Sequence, residues 1–280
     1  MTPADIPDDA TLDAVADLML EVADAEILPY FRRLRAADIT AKSSALDLVT
    51  VADRAAERAL TPALAARFPG ALIVGEEAVS EDPAGAPRLR DVPLAITIDP
   101  VDGTRNFAAG LAVFAVMIGF AVRGQPVASI IGDPIARDWA IAAHGRGAWL
   151  RRTDGSRERL HTRAARPVEA MEMLGGWGNL PAAARAGLAL RLTRFASCSS
   201  YRCSGQETRM VAAGQYDGVL YNKLTPWDHV PGVVLVREAG GYAGHLDGAG
   251  YDPDRQDGGI LYASDEASWH AVRRLLVGTG

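Results

Sequence analysis

The stretch "TIDPVDGTRNF", Thr97 to Phe107, ends an apolar run with two aspartates, Asp99 and Asp102, three positions apart. The preceding "PLAITI" (Pro93 to Ile98) reads as a strand apolar enough to be buried. Two unpaired carboxylates at the end of such a strand cost several kcal/mol, or one of them is forced to keep its proton. A divalent cation between them removes that conflict. A short helix is expected to open at Gly103 and Thr104, where free N–H groups form a seat for a phosphate. Glycine at position 103 lets the backbone approach the anion closely.

Two further acidic clusters sit at junctions between elements: "GEE" (Gly75 to Glu77) and "PWD" (Pro226 to Asp228). Each has a purely structural reading. "GEE" alone fits a solvated turn, and Asp228 fits a helix N-cap, which would put Pro231 at the third helical position. No histidine or cysteine cluster accompanies the acids. An all-oxygen ligand set favours Mg²⁺ over Zn²⁺, in the arrangement usual for phosphate chemistry.

The rest of the 280 residues fits an α/β protein. Leu12, Val15, Met19, Val22, Ile27, Tyr30, Phe31 and Leu34 recur at helical spacing, with Asp9 or Thr11 as cap. A second helix is expected over Asp53 to Phe68, bent at Pro62. "ALIV" (Ala71 to Val74) reads as a short buried strand. Val113 to Val122 and Val127 to Ile131 read as a hairpin, and Arg137 to Leu150 as two more strands. The arginine-rich Arg151 to Pro167 reads as a solvated connection between two lobes, residues 1–160 and 161–280. Beyond it come strand Met171 to Leu174, helices near Ala182 to Leu192 and Gln206 to Ala213, and strand Asp217 to Tyr221. A helix from "PWD", a strand "GILYAS" and a last helix complete an alternating pattern.

Composition narrows the partners. A net charge of −6 argues against a nucleic-acid footprint. The two cysteines, Cys198 and Cys203, read as reduced thiols. The N-terminus "MTPADIPDDA" lacks an apolar run, so it does not read as a signal peptide. Phe107 to Val122, broken by Gly110 and Gly119, falls short of the roughly 20 residues a membrane span needs. A cytoplasmic protein is expected, without a membrane partner.

Taken together, "DPVDGTRNF", the upstream "GEE", the downstream "WD" on a glycine-ended helix, "DLVTVAD" (Asp47 to Asp53) preceded by Lys42, "VAAGQYDG" and "VREAGG" resemble the inositol monophosphatase family of Mg²⁺-dependent, lithium-sensitive phosphatases. The resemblance runs from about Asp9 to the last helix. It implies a five-layer α-β-α-β-α sandwich of the inositol monophosphatase and fructose-1,6-bisphosphatase type, as a homodimer. It implies two or three Mg²⁺ ions per subunit. Glu76, Asp99 and the Val101 carbonyl would hold the first, and Asp99, Asp102 and Asp228 the second, with Glu76 assisting a third. Gly103 and Thr104 would bind phosphate through their amides. Thr104, paired with Asp53, and Glu76 would orient and deprotonate the attacking water. By this implication the first lobe carries most metal ligands, and the second carries Asp228 and the specificity residues.

The chain also departs from that pattern. Seven residues before the "WD" aspartate, where the family's sugar phosphatases carry a polyol-binding glutamate, stands Tyr221. "YRCSGQETR" (Tyr201 to Arg209) and "WDHVPG" depart as well. Arg202 and Lys223 either put positive charge near the leaving group, where they would bind a second anionic group such as another phosphate or a carboxylate, or are ordinary surface cations. His229 reads as a non-ligand, because adjacent helical side chains point apart. The tryptophans read as packing residues.

The expectation is therefore a phosphomonoesterase for a small metabolite, inositol-phosphate-like or a sugar phosphate, with histidinol phosphate or a 3′-phosphonucleotide as the alternative. A non-catalytic protein of the same fold that binds metal or a partner is the second alternative. A haloacid-dehalogenase-like phosphatase wants D-x-D-G-T, and the spacing of three between Asp99 and Asp102 argues against it.

Overall fold

The computed structural model describes residues 6–44, 47–83 and 88–278. Met1 to Asp5, part of the acidic N-terminal stretch, lie outside them.

In chain order the elements are α1 (Asp9–Val22), β1 (Ile39–Ser44), β2 (Asp47–Thr50), α2 (Val51–Arg67), β3 (Leu72–Gly75), α3 (Glu76–Glu81), β4 (Leu94–Asp102) and α4 (Thr104–Ala108). Then follow β5 (Ala115–Val122), β6 (Gln125–Asp133), β7 (Asp138–Ala143), β8 (Gly147–Arg152), β9 (Arg157–Arg159), β10 (Glu172–Gly175), α5 (Ala182–Leu192) and β11 (Ser197–Ser199). The chain ends with α6 (Ser204–Ala212), β12 (Gly218–Tyr221), α7 (Pro226–Glu238), β13 (Tyr242–His245), β14 (Ile260–Ala263) and α8 (Glu266–Val277).

Strands β3 to β9 form one sheet in sequence order, parallel only at β3–β4. A second sheet runs β11-β10-β12-β14-β13, and β1 and β2 make a separate hairpin. Five layers result. Helices α1 and α2 pack on the outer face of the large sheet, α6 and α7 lie between the two sheets, and α5 and α8 cover the far face of the small one. Each interface has its own apolar core: Leu12, Leu60 and Ile118 in the first, Met117, Val233 and Tyr262 in the middle, Leu188, Leu261 and Trp269 in the last. Sandwiching explains why β5 shows no polar alternation, since all of its residues are buried. The close seat of α7 needs a missing side chain: a Cβ on Gly119 of β5 would stand 2.7 Å from Pro231 Cδ and 2.8 Å from Val230 Cγ1.

A β-bulge at the end of β4 brings its two aspartates to one side. Asp99 pairs with Met117 and Asp102 with Ala115, so three steps along β4 oppose two along β5. In a regular strand, residues three apart face opposite sides. The extra residue turns Asp102 back to the side of Asp99. Pro100 at the bulge has no N–H for the ladder to lose.

Several local expectations are corrected. Helix α1 is capped by Asp8, whose Oδ1 accepts from Thr11 N at 2.8 Å, rather than by Asp9 or Thr11. Beyond Val22 the chain widens into a π-turn (Ala23–Ile27) and tightens into a 3-10 turn (Leu28–Tyr30) containing Pro29, so the apolar spacing to Leu34 is not one α-helix. Arg151 to Pro167 is no plain solvated loop. Arg157–Arg159 forms the last strand of the large sheet, and Arg163 and Arg166 reach the fully buried Asp217 at 3.1 and 3.3 Å. The N-cap of α7 is Thr225, with Pro226 at its first position, which puts Asp228 third and Pro231 inside the helix. No described helix is long and apolar enough to cross a membrane.

Candidate metal centre

The bulge of β4, the first turn of α7 and the start of α6 meet at one edge of the large sheet. There Asp99, Asp102 and Asp228 each offer an oxygen, all within 4.8 Å of one another. Asp99 and Asp102 are 2% and 8% exposed, so water cannot screen them well. Burial, then Glu76, Asp102 and Asp228 nearby, push the Asp99 carboxyl well above its ordinary range. Burial and Asp228 push Asp102 up to about 7. No arginine or lysine pairs with any of the three among the described residues. The donor set is a compact, largely buried, all-oxygen cluster with no cation paired to it among the described residues, which fits a hard divalent cation.

The remaining lone pairs of the cluster are held by the protein. Asp99 Oδ1 accepts from Val101 N at 3.1 Å. Asp102 Oδ2 accepts from Gly205 N at 2.6 Å and Cys203 Sγ at 3.0 Å. Asp228 accepts from Ser204 Oγ at 3.1 Å on one oxygen and from Thr225 Oγ1 on the other. The start of α6 thus aims both Asp102 and Asp228. In the sequence that segment stands out only as a departure from the family pattern, although a Cys-Ser-Gly run opening a helix carries the small donors such a role needs. Both cysteines are free thiols, and burial and Asp102 raise that of Cys203 well above its usual pKa.

Glu76 lines the same cleft, at the first position of α3. Its Oε1 accepts from Lys42 Nζ at 2.9 Å, and Lys42 also reaches Glu77 at 2.6 Å. Burial works to lower the Lys42 pKa, but the two glutamates outweigh it and hold the ammonium charged. Glu57 completes the turn. Its carboxylate accepts from Glu77 N and Ala78 N at 2.8 and 2.9 Å, and it fills the space beside Gly75, where a Cβ would lie 2.2 Å from Glu57 Cδ. The backbone on either side of Glu76 is therefore held by a buried acid on α2 that no motif announced.

Behind the cluster lies a hydroxyl–carboxylate pair. Thr104 Oγ1 is 3.0 Å from Asp53 Oδ1 and 3.0 Å from the Val101 carbonyl. Asp53 also serves the capping box of α2, accepting from Thr50 N at 2.9 Å. Burial pushes its carboxyl up to about 6. Gly103 caps α4 in the left-handed region (φ 85°), 3.0 Å from Val113 O at the site of an added Cβ. Glycine is required there on both counts.

The cleft encloses about 620 Å³ and reaches from Gly103 and Thr104 to Tyr221, Arg202 and Lys223. Tyr221 turns inward, its ring 5.2 Å from that of His229 and its hydroxyl between Ser204 O (3.4 Å) and Glu207. His229 accepts at Nδ1 from the Tyr262 hydroxyl and donates from Nε2 to Lys223 O, both at 3.0 Å, which agrees with its reading as a non-ligand. Trp177 departs from expectation: it is 48% exposed at the rim of the cleft.

The inositol monophosphatase family model matches residues 8–276. The chain belongs to the inositol monophosphatase family. Within that family it is 31% identical over 209 residues to "Nus factor SuhB" of Salmonella typhimurium, covering 72% of this chain and 73% of the relative. It is also 31% identical over 236 residues to an "Inositol-1-monophosphatase" of Mesorhizobium japonicum, covering 82% and 83%. Among solved structures, the "extragenic suppressor protein suhB" of Bartonella henselae superposes with a TM-score of 0.79 at 26% identity, over 96% of this chain and 98% of that one. Relatives at the same identity thus carry two kinds of name, so membership of the family does not by itself select an activity.

Proposed function

We propose that this protein is a divalent-metal-dependent phosphomonoesterase acting on a small phosphorylated metabolite. The observation that carries the reading is the cluster of buried Asp99 and Asp102 with half-buried Asp228, its oxygens within 4.8 Å and without an ion-pair partner among the described residues. Mg²⁺ is the ion that chemistry favours, two or three per subunit, held by Glu76, Asp99, the Val101 carbonyl, Asp102 and Asp228. Such ions supply an activated water and stabilise charge on the phosphoryl and leaving oxygens. The homodimer and the division into lobes near residue 160 belong to the same reading.

The chain's own residues have distinct parts in it. The amides of Gly103 and Thr104 bind phosphate oxygens. Thr104 Oγ1 orients the attacking water, takes its proton and passes its own to Asp53 Oδ1, 3.0 Å away. Asp53 is almost wholly buried, which keeps that acceptor from exchanging with solvent. Glu76 borders the same water, its other ties running to Lys42. At the leaving-group end Tyr221 offers no free carboxylate. That speaks against inositol phosphate as the preferred substrate and leaves sugar phosphates, histidinol phosphate and 3′-phosphonucleotides.

The decisive experiment is a phosphate-release assay over a panel of phosphomonoesters, inositol phosphate included, with and without Mg²⁺. Magnesium-dependent release is expected; none across the panel would overturn the reading. The name Nus factor among relatives supports a second reading, a non-catalytic protein that binds a partner through this fold. Absence of release together with retained metal binding would favour it.

A further inference from the structure

The cleft holds cations as well as acids. Arg202 and Lys223 line the same 620 Å³ space as Asp99, Asp102 and Asp228, yet neither cationic group has an ion pair or hydrogen bond among the described residues. Other arginines do find acids, as Arg90 does with Asp252 and Asp254 and Arg209 with Asp138, while Arg105, which lines the same cleft, likewise has no ion pair or side-chain hydrogen bond among the described residues.

Surface loops are commonly mobile, and a cation on one is then free to swing into solvent. The backbone that carries these two is held. Tyr201 N donates to Glu207 Oε1 at 2.7 Å and Tyr201 O accepts from Asn106 Nδ2 at 2.6 Å. Arg202 N donates to Ser200 Oγ at 3.3 Å, and Cys203 on its other side is tied to Asp102. Arg202 itself is held left-handed, φ 54°, a conformation that costs a non-glycine residue on the order of 1 kcal/mol. Lys223 is flanked in the same way. Its carbonyl accepts from His229, and Asn222 Nδ2 donates to Gly176 O at 2.7 Å. Glu207, the carboxylate of this region, is 1% exposed and turned to the backbone of Tyr201, so it does not neutralise them. Two charged groups are thus presented to the cleft on pinned backbone, with their hydrogen-bond donors unspent.

We propose that Arg202 and Lys223 bind a second anionic group on the substrate, a phosphate or a carboxylate, separate from the phosphate that is hydrolysed. The substrate class is then a phosphomonoester with a further anion on its leaving group. The proposal rests on the phosphatase reading for the reaction, though not for the binding.

The test compares esters that differ in the second anion alone. Glycerol 3-phosphate against 3-phosphoglycerate reads a carboxylate; adenosine 3′-phosphate against adenosine 3′,5′-bisphosphate reads a phosphate. In at least one pair, kcat/KM with Mg²⁺ is expected to favour the doubly anionic member by about tenfold or more. Arg202→Gln combined with Lys223→Gln should bring that ratio close to one, Lys223→Arg should keep most of it, and Arg274→Gln combined with Arg194→Gln, an equal change of net charge outside the cleft lining, should leave it alone. A ratio near one in both pairs for the unmodified protein, or a ratio that survives in the double variant, overturns the proposal. Calorimetric titration of the same four compounds onto the Mg²⁺-loaded protein reads the contact without turnover. Tighter binding of a doubly anionic member without phosphate release would discard the phosphatase reading and keep this one; equal binding would discard this one whatever the turnover.

Discussion

At the scale of single residues, the site depends on charges that repel one another until something cationic joins them. Asp99 is the most conflicted, being buried beside Glu76, Asp102 and Asp228. Asp99→Asn keeps the shape and the acceptor for Val101 N but removes one charge. Phosphate release is expected to fall on the order of 10³-fold or more. The metal-free melting temperature should hold or rise, because repulsion is relieved, while the extra stability gained on adding Mg²⁺ should shrink. Activity retained at saturating Mg²⁺ would refute the metal assignment. Thr104 allows a different test. Thr104→Val removes the hydroxyl between Asp53 and Val101 O, and kcat should drop about 10²-fold or more with little change in KM. It should also cost roughly 1–2 kcal/mol in denaturant unfolding, since the buried Asp53 loses a donor. Thr104→Ser should restore most of both, and a serine variant as slow as valine would remove the hydroxyl from the mechanism.

At the scale of elements, the question is how three chain segments bring their acids to one point. β4 and α7 meet across Gly119, where an added methyl would lie under 3 Å from Pro231, Val230 and Thr97. Gly119→Ala must push α7 away from the sheet, and Asp228 moves with it. A loss of about 1–3 kcal/mol in urea unfolding is expected, together with weaker Mg²⁺ binding. Full stability with unchanged metal affinity would show that the contact relaxes without moving the helix. The long elements were legible in the sequence because their apolar period is strong: α2, α5, β5 and β6 stand within a few residues of where periodicity puts them. The short ones were not. β11 has three residues, and β1 and β2 are recognisable only as each other's partners. The cap of α7 has two candidates in the sequence, since Thr225 followed by Pro226 is itself an N-terminal signature and competes with Asp228 for that position. At the site, the sequence yields the acids but not what aims them. Cys203, Ser204 and Glu57 act through space, across separations that no local pattern encodes.

At the scale of the whole molecule, the middle layer locks two neutral histidines into the fold, and this ties stability to pH. His229 lies between α7 and the small sheet, and His245 ends β13; each donates one ring N–H to a carbonyl and accepts at the other nitrogen, from Tyr262 in one case and from Asp252 N in the other. Adding a proton therefore breaks an accepted bond and charges a buried ring. Burial lowers both pKa values, against the opposing pull of Asp228 on His229 and of Gly259 O on His245. The folded pKa lies below the unfolded value of about 6.5, so the unfolded chain takes up the proton first. The stabilisation is fully present above that pH and is lost as pH falls below it, by up to about 1.4 kcal/mol per pH unit for each ring. Buried carboxylates with raised pKa, such as Glu207, act in the opposite direction, so the total curve mixes both signs. The histidine contribution is isolated by difference. His229→Gln retains hydrogen bonding and cannot titrate, so the stability gap between it and the unmodified protein, measured by urea unfolding, should narrow steadily from pH 7 to pH 5. A gap that stays constant over that range would mean that His229 is not the neutral, buried base described above.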